Sequence, residues 1–233
     1  MTELPNVIHQ SWHPFLQPLF DQDFSLNLLK NQILPKCIFF PEAKNIFRVF
    51  SMPMQQVKIV ILGQDPYPTR GHANGYAFAV NQESRMPVSL KIIAKEVENE
   101  GLKSGFYDSD VPHWRTLESW TEQGVFLLNT ALTVQEGKAG SHLDFWKPFT
   151  YRVITTIARE VSPIWMLWGK KAQEIIPLII PYREADKSKN VILTAPHPAA
   201  ESYSGGKAGF YGCNHFNIAN NVLAKSGNST INF

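Results

Sequence analysis

An acid stands at a sharp boundary in the sequence. The apolar run "VKIVIL" at 57–62 stops at Gly63, and Asp65 follows two positions later, next to the proline-bounded "PYP" at 66–68. Because proline restricts the backbone around it, this carboxylate is expected to be held in one position, as a reactive group must be. Turns rich in Asp, Pro and Gly are also common without any chemistry, and Asp65 could then cap the next helix or stabilise its own turn.

Four apolar runs of this kind are followed by residues that could take part in chemistry. The residues that follow them are Gln64, Asp65 and Tyr67; Asn129; Gly169, Lys170 and Lys171; and Pro196, His197 and Pro198. An acid and an imidazole, without a Ser or Cys in a nucleophile motif, favour acid/base or electrostatic catalysis over acyl transfer. This chemistry requires that elements far apart in the sequence bring these residues together.

The four runs themselves are predicted to be strands. They are short and rich in β-branched or aromatic residues, and their near-continuous hydrophobicity is typical of strands buried on both faces of a parallel sheet. The runs are "VKIVIL" at 57–62, "VFLL" at 125–128, "PIWMLW" at 163–168 and "NVILTA" at 190–195. Ligands bind beyond the carboxyl ends of such strands, so the acid, the amide, the cation and the imidazole are expected to meet at one edge.

Stretches with helical periodicity alternate with these runs. Leu90, Ile93 and Val97 share one face, and so do Phe149, Val153 and Ile157 in a second stretch. The predicted helical stretches are 88–100, 144–161, shorter ones at 114–123, 171–180 and 216–225, and an N-terminal pair within 22–51. We therefore expect an α/β fold, a three-layer α/β/α sandwich with a central, mainly parallel four-stranded sheet, built as one domain over residues 1–233.

Composition narrows the class of protein. The chain has 233 residues, a net charge of +2 and only two cysteines, Cys37 and Cys213. The weak positive charge argues against high-affinity nonspecific DNA binding, although not against an enzyme that contacts a few phosphates. The N-terminus has no signal-peptide pattern and no apolar run could span a bilayer, so we expect a cytoplasmic protein with reduced thiols and no membrane anchor. The histidines and cysteines lack ligand spacing, and no metal is expected.

Taken singly, each of these residues also has an ordinary structural interpretation. Asn129 could bond neighbouring backbone, His197 could be a half-buried histidine, and Phe78 and Trp168 could be core residues. Lysines such as Lys170 usually belong to a solvated face. Their expected location at one sheet edge favours the functional interpretation over the structural one.

Five motifs in register, together with the flanking "IFFPEAKNIFRVF", "LESWTEQGVFLLN" and the closing "INF", extend over nearly the whole chain. The motifs are "GQDPYP" at 63–68, "GYAFAV" at 75–80, "LLNTALTV" at 127–134, "LWGKKAQ" at 167–173 and "APHPAAESYSGGKAGFYGCNHF" at 195–216. In these motifs the chain resembles a family 1 uracil-DNA glycosylase. The resemblance implies a monofunctional enzyme that removes uracil from DNA at the start of base-excision repair, without a metal or an organic cofactor.

The resemblance also implies roles for the catalytic pair. Breaking the glycosidic bond leaves positive charge on the sugar and negative charge on uracil, and each needs a preplaced group of opposite character. Ionised Asp65 would stabilise the sugar and position the attacking water, while neutral His197 would donate a hydrogen bond to uracil O2. The base has to be flipped out of the duplex before either group can reach it.

Uracil recognition is assigned by the same resemblance to four residues. Phe78 would stack on the flipped ring, and Gln64 would add contacts to the departing base. The amide of Asn129 would accept from uracil N3–H and donate to O4, a pattern that cytosine inverts. Tyr67 would exclude thymine by occupying the space of its 5-methyl group.

DNA contacts in the family come from small loops that grip phosphates around the flipped nucleotide, and such contacts are sequence-blind. The matching residues here are Pro87 and Ser89 in "MPVSL", then Gly169 and Lys170, then Pro198 and the residues after it. The leucine that fills the vacated base position in the family is missing from its usual place. Glu201 stands there by count, but we favour Tyr203, whose ring could stack.

The chain departs from the family pattern at several positions. Pro68 replaces a usual His, Lys170 replaces a Ser, and residues 198–202 replace Pro-Ser-Pro-Leu-Ser, followed by a loop three residues longer than usual to Gly209. The poxviral branch is similar at Pro68 and at Ala199-Ala200. Lys170 would compensate for a lost serine contact by adding a charge near the phosphates.

Two alternatives stay open at this point. One is a catalytically weak uracil-DNA-binding or replication-scaffold protein, motivated by the altered loop and the missing His. The other is a small-molecule N-glycoside hydrolase that uses the same sheet edge. The expected partners are uracil-containing DNA, single- or double-stranded, and a proteinaceous inhibitor as a further candidate, with a monomeric state and no membrane.

Overall fold

The computed structural model describes residues 3–22, 27, 30–31, 34–102, 114–184 and 190–233. Within them the four predicted strands are confirmed, each to within two residues at either end. Two further strands of two residues each were not predicted. One lies near the start of the chain, the other follows the second predicted strand, and the two are paired with each other. The strands are β1 Phe39–Phe40, β2 Ile59–Gly63, β3 Val125–Asn129, β4 Val134–Gln135, β5 Ile164–Trp168 and β6 Ile192–Ala195.

The main sheet has the order β3-β2-β5-β6, and all of its pairings are parallel. Every residue of β2, β3 and β5 is buried, including those of the edge strand β3. The other edge strand, β6, is only partly buried. The continuous apolar runs in the sequence therefore correspond to strands covered on both faces, as predicted.

Helices between and after these strands confirm the stretches predicted at 88–100, 144–161 and 216–225, each to within one residue at either end. The helices are α1 His13–Gln22, α2 Val88–Asn99, α3 Glu118–Glu122, α4 Leu143–Glu160, α5 Lys170–Gln173, α6 Ile176–Glu184, α7 Ala200–Ser204 and α8 His215–Lys225. The stretch predicted at 171–180 is split into α5 and α6. Pro177 lies in the first turn of α6 and has no N–H to continue the ladder from α5.

The predicted helical pair within 22–51 is wrong over 34–51, and the rest of it lies mostly outside the described residues. Three short 3-10 helices are formed there instead, at Leu34–Lys36, Ala43–Asn45 and Arg48–Ser51. Pro35 and Pro41 interrupt any longer helix in this part of the chain. Helix α1, which precedes the predicted pair, was not predicted.

The core lies on both faces of the sheet. Phe126 is in register with Val60, and Val60 with Trp165, so these three side chains share one face. Trp12 stacks on Phe126 at 5.3 Å between ring centroids on that face. Trp168 lies three residues after Trp165 and therefore on the opposite face.

On that opposite face, Trp168 meets the rings of Phe210 and Phe216 at 5.2 and 6.0 Å between centroids. The chain thus has the predicted three layers. No helix in the described ranges combines the length and apolar character needed to cross a membrane.

Phe149 provides a test of this packing, because its ring projects from α4 and is fully buried against N-terminal aromatic residues such as Phe50. We predict that Phe149→Ala lowers the free energy of unfolding by about 3–5 kcal/mol, since it leaves a cavity that rigid neighbours fill poorly. Urea unfolding followed by circular dichroism measures this change.

The matched control is Ile38→Ala, which truncates a side chain that is 54% exposed. It should change the free energy of unfolding by less than about 1 kcal/mol. Equal losses for the two variants would contradict the position of Phe149 in the core.

Candidate active site

Strands β2 and β3 end side by side at the predicted edge. Gly63 and Asn129 are direct partners in the ladder. Backbone pairing continues past the strand ends, because Thr130 N–H donates to Gly63 O and Ala131 N–H donates to Gln64 O, each at 2.9 Å. The turn that carries Asp65 is therefore attached to β3 rather than free to move.

Gly63 is required at this position by the amide beside it. A Cβ atom on Gly63 would lie 2.2 Å from Asn129 Oδ1 and 2.9 Å from Ala77 Cβ. Since carbon atoms do not approach other atoms so closely, any larger residue would displace the Asn129 side chain. The abrupt stop of the apolar run at a glycine thus has a steric reason.

The carboxylate of Asp65 is half-buried and hydrogen-bonded. Gly140 N–H donates to Oδ2, and Gln64 Nε2 donates to Oδ1 at 3.1 Å. Burial raises the pKa of the Asp65 carboxyl, and the bonds from Gly140 and Gln64 oppose this rise because they stabilise the ionised form. Asp65 caps none of the helices that the structure describes. Its partner Gly140, from the loop after β4, was not identified from the sequence.

Asn129 is buried, with 4% of its surface exposed. Its side-chain amide forms no hydrogen bond to any residue in the described part of the chain, so the suggestion that it bonds neighbouring backbone is not supported. A buried amide without a protein partner is costly unless a ligand or water satisfies it. The Asn129 amide therefore has both its donor and its acceptor free for a ligand.

Phe78 lies between the Asp65 turn and His197. Its ring centroid is 5.9 Å from that of His197 and 5.5 Å from that of Trp168. Tyr67 donates a hydrogen bond from its hydroxyl to Phe78 O at 3.3 Å, and burial raises the pKa of the Tyr67 phenol, which stays neutral.

The backbone of Phe78 has φ +64, a conformation that bulky residues rarely adopt. The preceding Ala77 N–H donates to Leu127 O in β3 at 3.0 Å and ties this strained segment to the sheet. Strain at a residue held so firmly is typical of functional positions. Phe78 is half-buried, so it is not an ordinary core residue, whereas Trp168 behind it is.

His197 follows the end of β6 and is exposed. Its Nδ1 atom accepts a hydrogen bond from Ala199 N–H at 3.2 Å, which places the proton of the neutral ring on Nε2. The surrounding protein still shields the imidazole, and this burial lowers its pKa. His197 can thus present an N–H donor from an uncharged ring.

Gly169 allows the close approach of His197 to β5. Its φ is +88, and a Cβ atom there would lie 2.8 Å from His197 Cβ. A cavity of about 510 Å³ opens beside the two residues and is lined further by Lys170, Gln173 and Thr194. A larger cavity of about 790 Å³ lies at the opposite edge of the sheet, around Lys58 and Pro163, and contains none of the predicted site residues.

The residues predicted to contact DNA surround this edge. Pro87 occupies the N-cap position of α2 without a side-chain hydrogen bond, and Ser89 lies half-buried in the first turn of that helix. Lys170 is exposed at the start of α5. Pro198 is buried, so its ring supports the turn after His197 instead of facing solvent. Tyr203 on α7 is 88% exposed.

Glu201, which stands by count at the family's leucine position, points into the protein. It is 3% exposed. Its carboxylate accepts hydrogen bonds from the N–H groups of Ala208, Phe210 and Tyr211. This role was not identified from the sequence, because the accepting carboxylate and the donating loop are related only by the folded loop itself.

Two further carboxylates hold the next part of the same segment. Glu96 accepts from Gly212 N–H at 2.9 Å, and Glu100 accepts from Asn217 N–H at 2.6 Å. With Cys213 these acids form a cluster that has the composition of a metal site. Burial, however, raises the pKa of the Cys213 thiol to about 12, so the sulfur is not a thiolate, and the carboxylates already have amide partners.

Comparisons with known proteins agree on one family. The family model described as "Uracil DNA glycosylase superfamily" matches residues 51–224. A uracil-DNA glycosylase of Neisseria meningitidis serogroup C is 41% identical over 231 residues, which cover 96% of this chain and 98% of that protein. A uracil-DNA glycosylase of Borrelia turicatae is 39% identical and covers 97% of this chain and 98% of its own length.

Solved structures share the fold. Mimivirus uracil-DNA glycosylase superimposes with a TM-score of 0.82 at 24% identity, over 99% of this chain and 89% of that one. The mimivirus UNG variant Y322L, solved in complex with UGI, gives a TM-score of 0.85 at 23% identity, over 99% and 90% of the two chains.

The tautomer and pKa of His197 are open to measurement. We predict that nitrogen NMR shifts show a proton on Nε2 at neutral pH and that the pKa lies below the value of the same ring in urea-unfolded protein. Because the unfolded state then binds the proton more tightly, the stability contributed by neutral His197 is lost as the pH falls below the unfolded-state pKa.

His215 is an internal comparison, since its Nδ1 accepts from Trp168 Nε1–H at 3.0 Å and burial lowers its pKa to about 4. It should show the same tautomer with a lower pKa than in unfolded protein. A proton on Nδ1 of His197 would contradict its assignment as an Nε2–H donor.

Proposed function

The chain belongs to the uracil DNA glycosylase superfamily, and from this membership and the geometry of the site we propose that it hydrolyses the bond between uracil and deoxyribose in DNA. The observation that carries the proposal is the arrangement around Phe78. Tyr67 of the Asp65 turn bonds the Phe78 backbone, and the His197 ring lies 5.9 Å from the Phe78 ring. The Asn129 amide lies beside Gly63, in the space that Ala77, the neighbour of Phe78, also borders. A single flipped nucleotide could contact all of these groups.

Asp65 would act on the sugar. As the glycosidic bond breaks, positive charge develops on the deoxyribose, and an ionised carboxylate stabilises it most strongly in a site that excludes water. The bonds from Gly140 and Gln64 hold the carboxylate in one orientation. They leave further lone pairs of its oxygens available for the attacking water.

His197 would act on the departing base. Its lowered pKa keeps the ring neutral, and its Nδ1 is occupied by Ala199 N–H, so Nε2–H is the group left to donate to uracil O2. A neutral donor stabilises the negative charge that develops on uracil without requiring proton transfer.

Uracil would be recognised by Asn129, Phe78 and Tyr67. The Asn129 amide matches the donor and acceptor of uracil N3–H and O4, and cytosine would leave both buried groups unpaired. Phe78 would stack on the ring. The hydrogen bond from Tyr67 to the Phe78 backbone restrains the Tyr67 ring, which would exclude a 5-methyl group by its volume. Gln64 would contact the base from the exposed side of the turn.

DNA would be gripped around this pocket through Ser89 and Pro87 at the start of α2 and through Gly169 and Lys170 at the start of α5. Helix N-termini favour phosphate because their N–H groups are unpaired. Pro198 would support the third loop from within. Tyr203 is the large exposed side chain on that loop, and this supports its proposed role in filling the vacated position in the base stack.

A protein inhibitor is a further proposed partner. Mimivirus UNG variants, which share this fold, were solved with UGI, and the same DNA-facing edge is the surface on this chain that could accept such a partner. The monomeric state, the cytoplasmic location and the organisation as one domain stay predictions from the sequence.

The activity is tested with an oligonucleotide that contains one uracil, incubated with the protein and then treated with hot alkali. Strand scission at the uracil is expected for the wild-type chain. Absence of scission at low salt and high protein concentration would contradict the proposal and favour the weak uracil-DNA-binding alternative, while release from free deoxyuridine would favour the small-molecule hydrolase.

Asp65→Asn is predicted to lower the rate of uracil release by at least about 10²-fold while leaving binding to uracil DNA largely intact, because a neutral amide cannot stabilise the cationic sugar. Single-turnover kinetics and a binding titration measure the two effects. In the wild type the rate should fall as the pH drops through the raised pKa of Asp65, because protonation removes the charge.

Glu136→Gln is the matched control, since this acid pairs with Arg70 outside the pocket at 3.1 Å. It should leave the rate and its pH dependence unchanged. An Asp65→Asn variant with the wild-type rate would exclude Asp65 from catalysis.

Asn129→Asp is predicted to weaken the choice of uracil over cytosine, which hydrogen-bond recognition sets at about 10⁴-fold or more. Oligonucleotides with a single uracil or a single cytosine measure the ratio of release rates. Detectable cytosine release together with slower uracil release is expected. An unchanged preference for uracil over cytosine would mean that another group recognises the base.

A further inference from the structure

Glu201 and Tyr203 project to opposite sides of α7. This helix, Ala200–Ser204, begins three residues after His197. Glu201 is 3% exposed, whereas Tyr203 is 88% exposed. The helix therefore presents one residue to solvent and anchors itself to the protein through the other.

The anchor is a set of backbone amides from the loop that follows. Ala208 N–H donates to Oε2 of Glu201 at 3.1 Å, and the N–H groups of Phe210 and Tyr211 donate to Oε1. Burial raises the pKa of the Glu201 carboxyl, but the N–H groups of residues 208–211 outweigh this effect and hold it below its ordinary range. The side chain is thus ionised at neutral pH, and its bonds are charge-assisted and strong.

These bonds connect α7 to the core. Phe210 is fully buried and packs edge-on against Trp168 at 5.2 Å between centroids. The intervening loop contains Gly205, Gly206 and Gly209, all with positive φ, and such a loop has little stiffness of its own. A helix of five residues is also unstable in isolation. Glu201 is the side chain that joins both weak elements to the rigid layer behind Trp168.

We infer that Glu201 is a positioning residue for double-stranded DNA, because it holds the helix from which Tyr203 enters the base stack. The inference rests on the proposed function. A single strand has no opposing stack to invade, so the loss of this anchor should matter much less there. The sequence places an acid where the family has its leucine, and the geometry gives that acid the task of supporting the aromatic residue two positions later.

His197 also has supports that do not pass through Glu201. Ala199, whose N–H binds its Nδ1, is the N-cap residue of α7, but His197 follows β6 directly, where Gly169 N–H donates to Ala195 O at 2.8 Å, and its ring contacts Phe78. Loss of the Glu201 carboxylate should therefore leave the chemistry on an accessible uracil intact. Duplex and single-stranded substrates separate the two effects.

The experiment measures kcat/KM on single-uracil oligonucleotides, single-stranded and double-stranded, for wild type, Glu201→Gln, Tyr203→Ala and the double variant. Both single variants are expected to lose about tenfold on the duplex, the scale of one lost aromatic stack, and less than about threefold on the single strand. The double variant should lose no more than Tyr203→Ala alone, since the anchor acts through Tyr203. Glu201→Asp keeps the charge on a shorter side chain, so its kcat/KM on the duplex should lie between the values of wild type and Glu201→Gln. It replaces Glu201→Gln in the experiment if that variant does not fold.

Glu96→Gln is the matched control. Glu96 is also a fully buried acid that binds backbone amides, but it holds Gly212 and Asn214, beyond the loop that follows α7. It should lower the thermal midpoint without changing the ratio of duplex to single-strand activity. If Glu96→Gln changes the ratio of duplex to single-strand activity as much as Glu201→Gln does, the effect comes from a general loss of rigidity, and the inference is contradicted.

The outcomes distinguish the inference from the function on which it rests. No uracil release by wild type would overturn the proposed function. A Tyr203→Ala variant with unchanged duplex activity would remove Tyr203 from its role and the inference with it. Two outcomes would show that the inference is wrong while the proposed function stands, provided that Tyr203→Ala lowers kcat/KM on the duplex. In the first, Glu201→Gln lowers kcat/KM equally on the duplex and the single strand. In the second, the loss of the double variant is the sum of the two single losses.

Discussion

The in-register parallel pairing of β2 with β3 is the constraint on which the site depends. It sets Gly63 beside Asn129, where the absence of a side chain leaves room for the amide. Backbone hydrogen bonds from Thr130 and Ala131 continue beyond the strand ends and attach the Asp65 turn to the sheet. A shift of one residue would move every side chain of the strand to the other face, so the register that packs the core also fixes the depth of the carboxylate and the amide.

Carboxylates that accept backbone N–H groups organise the irregular parts of the chain around this sheet edge. Asp65 binds Gly140, and Glu201, Glu96 and Glu100 bind successive parts of residues 208–217. Loops without strand or helix partners have amides that must be satisfied in some other way, and an ionised carboxylate satisfies several at once. The same type of interaction thus orients a proposed catalytic group and stiffens the surface that would meet DNA.

Burial shifts the pKa values of Asp65 and His197 in opposite directions, since it favours the neutral form of each side chain. It raises the pKa of the acid and lowers that of the imidazole. Hydrogen bonds from Gly140 and Gln64 counter the effect at Asp65, whereas the His197 ring accepts a hydrogen bond at Nδ1, which is compatible with the neutral ring. One environment therefore raises the pKa of an acid and lowers that of an imidazole near Phe78, in a protein whose net charge is only +2.

The sequence alone determined the four strands, the longer helices, the family and the residues that gather at the sheet edge. These follow from local hydrophobic periodicity and from motifs that are continuous in the chain. Only the tertiary structure decided which groups hold the site in place: the Gly140 N–H on Asp65, the tautomer of His197, and the inward direction of Glu201. Each of these depends on backbone atoms that come from distant or irregular segments, and backbone N–H groups are the same in every residue except proline. The side chains in the sequence therefore do not indicate which backbone amide a given carboxylate will bind.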